Sequence, residues 1–101
     1  MKYEVILTPE AKKNFDNLDT ASKRKLYNDY QTIESVDINC LNIKNLGNKL
    51  FEIKTDNLRS IFEYRKGQII IVGLIFVKKT QKTPQKHLKL VKNILDKFEK
   101  E

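Results

Sequence analysis

A chain of 101 residues with two Pro, three Gly and 33% charged residues reads as one domain over 1–101, with a modest core beneath a large solvated surface. A lone cysteine, Cys40, excludes an intrachain disulfide, and no Cys/His cluster offers a metal site. The longest apolar run is about half of what a membrane-spanning helix needs, and the N-terminus lacks a signal-peptide core. The expectation is a soluble cytoplasmic protein with no metal, cofactor or membrane contact. The net charge of +7 is unevenly spread. Between residues 66 and 95 there is no Asp or Glu, while Lys66, Lys78, Lys79, Lys82, Lys86, Lys89 and Lys92 all fall there. One-signed clustering favours a polyanion, nucleic acid first and an acidic protein second; a solvated lysine face is the plain alternative.

Residues 2–7 alternate weakly and read as a first strand. Thr8-Pro9-Glu10 follows as a helix N-cap, a proline in the first turn and an acid against the helix dipole. Ala11, Phe15 and Leu18 share one face of that short helix. A second helix is predicted over 21–35, with Leu26, Tyr30 and Ile33 inward. Periodicity is lost over 36–49, which reads as a loop crossing the sheet edge, with Cys40 a small packing residue. Residues 50–54 and 58–66 read as two strands of a meander. On the second, Arg59, Ile61, Glu63 and Arg65 share one side.

Lys66-Gly67 turns into the run 69–77, apolar without a charge and therefore a central strand buried on both faces. The chain then changes abruptly to Lys78, Lys79 and Lys82, so a rigid strand delivers ammonium groups to one end of the sheet. Thr83 is read as the N-cap and Pro84 as the first turn of a last amphipathic helix over 84–100. Its buried stripe is Leu88, Val91, Leu95 and Phe98. The architecture expected is α+β: a small, twisted, mostly antiparallel sheet with an N-terminal helical hairpin and a C-terminal helix, the helices on one side.

Three pieces carry a family resemblance: Leu50-Phe51-Glu52-Ile53-Lys54, Arg59-Ser60-Ile61-Phe62-Glu63-Tyr64, and Phe76-Val77-Lys78-Lys79-Thr80-Gln81-Lys82-Thr83-Pro84. The last is the most specific. With the element order, they resemble the RelE/HigB superfamily of toxins from type II toxin–antitoxin systems, in its phage-derived HigB-like branch. The resemblance implies a RelE-like fold and a ribosome-dependent, metal-independent mRNA endoribonuclease that inhibits translation. Its partners would be the ribosome, mRNA and a cognate antitoxin of helix-turn-helix or small acidic type.

Such cleavage uses the 2′-hydroxyl as nucleophile, and needs a proton acceptor, charge stabilisation on the phosphorane and a donor to the leaving 5′-oxygen. The resemblance assigns these to Arg59 on phosphate, to one of Lys79 and its flanking Lys78 and Lys82 at the leaving group, and to Glu52 as general base, or else as a partner of Arg59 or Lys54. Lys54, Arg65, Lys78, Lys82, Lys86 and His87 complete the set expected to bind RNA and phosphate. The chain departs from relatives where a basic pair falls at Leu50 and Glu52, a C-terminal tyrosine at Phe98 and a helix arginine at Ile94. Those departures leave two rivals: a non-nuclease toxin of the superfamily that poisons DNA gyrase, and a degenerate chain that binds RNA or antitoxin without cutting.

Overall fold

The structure, a computed structural model, describes residues 2–78 and 84–98. Its elements are β1 (Glu4–Leu7), α1 (Pro9–Asp16), α2 (Thr20–Ser35), a 3-10 turn (Ile38–Cys40), β2 (Asn42–Gly47), β3 (Leu50–Thr55), β4 (Leu58–Arg65), β5 (Ile69–Val77) and α3 (Gln85–Lys97). One five-stranded sheet runs in the order β1-β5-β4-β3-β2. β1 lies parallel to β5 and the remaining pairs are antiparallel. No described helix is long and apolar enough to cross a membrane.

Local chemistry starts the first two helices. Thr8 is buried, its hydroxyl accepts the Ala11 N–H at 3.1 Å, and Pro9 occupies the first turn. Asp19 caps α2 by accepting the Ser22 N–H at 2.7 Å, and that bond holds its carboxyl below the ordinary Asp value.

The core has two halves, one on each face of the sheet. Ala11 of α1 and Leu26, Tyr30 and Ile33 of α2 cover Ile53, Leu58, Phe62, Ile70, Val72 and Ile75. On the other face, Val91 and Leu95 of α3 cover Leu50, Ile61, Ile71 and Leu74. The expectation that helices occupy one side is corrected. β5 is apolar on both faces, so one helical layer would leave half of its side chains wet.

α3 lies close to the sheet because of a bulge in β5. The β4–β5 register steps from Ile61↔Leu74 to Phe62↔Val72, leaving Gly73 as the extra residue. A Cβ at position 73 would stand 2.6 Å from Val91 Cγ2 and 3.1 Å from Leu95 Cγ, so only glycine lets the helix in.

Two further expectations change. Residues 36–49 are not an irregular loop: they hold the 3-10 turn and the edge strand β2. Asn42, Lys44 and Asn45 are exposed, Ile43 joins one core half and Leu46 the other, and the register shifts between Asn45 and Gly47. No one-faced alternation survives that arrangement. α3 begins at Gln85, with Pro84 itself in the cap position, extended at φ −60 and ψ 143. The Pro84 carbonyl accepts from His87 N and Leu88 N. The expected cap, Thr83, lies outside the described residues.

Candidate phosphate-binding site

The meander and β5 bring a row of side chains onto the α3 side of the sheet. Lys54 and Arg59 are direct cross-strand partners, and Arg59 pairs in turn with Phe76. The next row holds Lys44 opposite Glu52, and Glu52 opposite Ile61. Arg59 therefore sits between an exposed lysine and an aromatic ring, with a carboxylate diagonally behind it.

Its guanidinium is held firmly. Nη1 donates to the Asp56 and Leu58 carbonyls, both at 2.9 Å, and Nε lies 3.9 Å from Glu52 Oε1. The two side chains are 11% and 4% exposed. Burying this pair costs desolvation that the carbonyl bonds help to offset.

His87, in the first turn of α3, packs against Phe76 with ring centroids 4.4 Å apart and the ring planes tilted by 55°. Its Nδ1 is buried without a hydrogen-bond partner among the described residues. The histidine is thus beside the Arg59 row, a placement that its lone position in the sequence did not disclose. Lys86, its neighbour, is exposed. Lys78 follows the end of β5, and its N–H donates to Asn57 O at 2.9 Å, which ties it to the turn that holds Arg59. Lys79 and Lys82 lie outside the described residues.

Arg65 stands apart from this group. At the far end of β4 its Nε pairs with Glu63, and its Nη2 donates to the Leu95 carbonyl at 3.2 Å, near the C-terminal end of α3. It fastens the helix to the sheet. Sequence reasoning missed two members of the site, Lys44 and Phe76. Lys44 was hidden in the segment read as loop. Phe76 opened the most specific of the three resembling pieces but counted only as an apolar strand residue.

The arrangement sets the held Arg59 guanidinium beside the exposed Lys54 on one face of the sheet, which suits an anion with several oxygens. Among the described residues no three His, Cys, Asp or Glu side chains come together in a way that could hold a metal ion.

A five-stranded mixed sheet with two helices on one face and one on the other is a RelE-like fold. The archaeal RelE–RelB complex from Pyrococcus horikoshii OT3 matches it with a TM-score of 0.64 and 17% identity, over 76% of this chain and 96% of that chain. The sequence is more specific: the family described as phage derived protein Gp49-like matches residues 13–96, and the chain belongs to that RelE/HigB-type toxin family. No curated protein matches significantly.

Proposed function

We propose that this chain is the toxin of a type II toxin–antitoxin pair and cleaves mRNA on the ribosome without a metal. The observation that carries the reading is Arg59, held by two carbonyls and Glu52 beside the exposed Lys54. Arg59 contacts the scissile phosphate and stabilises the phosphorane, Lys54 and Lys86 hold flanking phosphates, and Lys79 serves the leaving 5′-oxygen. Glu52 is 3% exposed and directed at Arg59, which supports an orienting role over that of proton acceptor. His87, packed on Phe76, the cross-strand partner of Arg59, is then the candidate for proton transfer.

RelE in the matching structure is complexed with RelB. An antitoxin partner for this chain follows by analogy, and its net charge of +7 suits a small acidic one. The non-cutting rival draws support from the same geometry, because the Arg59 guanidinium is already engaged. Translation of a reporter mRNA in a purified bacterial system, with 5′-end mapping, decides between them. Codon-phased cuts that require ribosomes and vanish with Arg59→Ala are expected. Arrested growth of producing cells without mRNA cuts would overturn the nuclease reading.

A further inference from the structure

The β3–β4 turn, residues 55–58, is tied from both sides of the sheet. On the α2 side, Thr55 is buried and its hydroxyl donates to Asp29 Oδ2 at 2.5 Å. Lys25 Nζ donates to Asp56 Oδ2 at 2.7 Å. On the site's side, the carbonyls of Asp56 and Leu58 take the Arg59 guanidinium, and Asn57 O takes the Lys78 N–H. Asp56 has a left-handed backbone, φ 58, which Asp adopts more readily than most non-glycine residues. Its carbonyl takes the Arg59 guanidinium while its carboxylate takes Lys25, so one residue joins α2 to the site's side of the sheet.

The two α2 tethers differ in strength. Lys25 and Asp56 are 53% and 62% exposed, so their attraction is screened by water and salt. The Thr55–Asp29 bond is partly buried and donates to a carboxylate, which makes it the stronger hold.

We propose that Asp29 and Thr55 are positioning residues for Arg59: α2, on the face opposite the candidate site, sets the turn that holds the guanidinium. Neither side chain needs to touch RNA. The inference rests on the nuclease reading only for its effect on rate; the coupling itself is a property of the fold.

Thr55→Val removes the hydroxyl at nearly constant volume, Thr55→Ser retains it, and Asp29→Ala removes the acceptor from the helix should the buried substitution fail to fold. Two readouts apply to the whole chain: the Arg59 Nε–Hε resonance by NMR, assigned by its loss in Arg59→Lys, and single-turnover cleavage on ribosomes. In Thr55→Val and Asp29→Ala the resonance is expected to move and cleavage to slow about tenfold with little change in ribosome affinity. Thr55→Ser should restore both. An unmoved resonance overturns the coupling, and a moved resonance with an unchanged rate overturns the positioning role. If the wild-type chain does not cut, the function proposed above falls while the resonance still decides the coupling.

Discussion

Arg59 is a planar donor with its bonds arranged in a plane, and that geometry makes lysine a poor substitute. One ammonium cannot meet the Asp56 and Leu58 carbonyls and face Glu52 in the same posture. Arg59→Lys is therefore expected to lose about a hundredfold in ribosome-dependent cleavage, close to Arg59→Ala, although the charge is conserved. Glu52→Gln separates two roles. If the carboxylate only orients the guanidinium, the isosteric amide should cost roughly tenfold or less and leave the shape of the pH–rate profile unchanged. A loss of about a thousandfold with one limb of the profile abolished would make Glu52 the proton acceptor. Elsewhere, burial pushes the Tyr30 hydroxyl well above its ordinary pKa, so it stays neutral and shares a 2.8 Å hydrogen bond with buried Ser60. Tyr30→Phe should cost about 1–3 kcal/mol in urea unfolding, because it leaves the serine oxygen unpaired.

Elements were legible in the sequence where one face or both were plainly apolar. β5 has the bounds expected for it, Ile69–Val77, and α2 and β4 agree to within a residue. Legibility failed where apolar anchors are divided between the two core halves, as Ile43 and Leu46 are in β2. It failed again for the second helical layer, which β5 required but no single motif announced. The candidate site divides the same way: the family resemblance pointed to Arg59 and the lysines after β5, whereas register alone separated Arg65 from the row and admitted Phe76. Gly73 illustrates how one residue governs an element. Gly73→Ala would force Val91 and Leu95 off the sheet, with an expected loss of about 1–3 kcal/mol in denaturant unfolding. The cap of α2 gives a pH test. The Asp19 carboxyl is lowered by the Ser22 N–H, so its contribution is present above the unfolded value and lost as pH falls through the folded one. Asp19→Ala should melt below wild type at neutral pH, with the gap closing once the pH drops beneath the ordinary carboxylate range.

At the scale of the molecule, charge is partitioned along the chain and again across the fold. None of the 13 acidic residues falls between 66 and 95, yet the cations within and around that stretch do not all do the same work. Lys54 and Lys86 are exposed, and Lys54 is the cross-strand partner of Arg59, whereas Arg65 is half-buried and spent on Glu63 and the Leu95 carbonyl. Counterion release converts this difference into a measurement, since each phosphate contact with a single strand contributes about 0.7 to the slope of log K against log salt concentration. In anisotropy titrations of a single-stranded RNA oligonucleotide over a series of KCl concentrations, Lys54→Ala should lower that slope by about 0.7 and weaken binding most at low salt. Arg65→Ala should leave the slope as it was and instead lower the unfolding midpoint, because the far end of α3 loses its tether to β4. Equal slopes for wild type and Lys54→Ala would remove Lys54 from the RNA path. A slope lost with Arg65→Ala would place the nucleic acid at the other end of the sheet, away from Arg59.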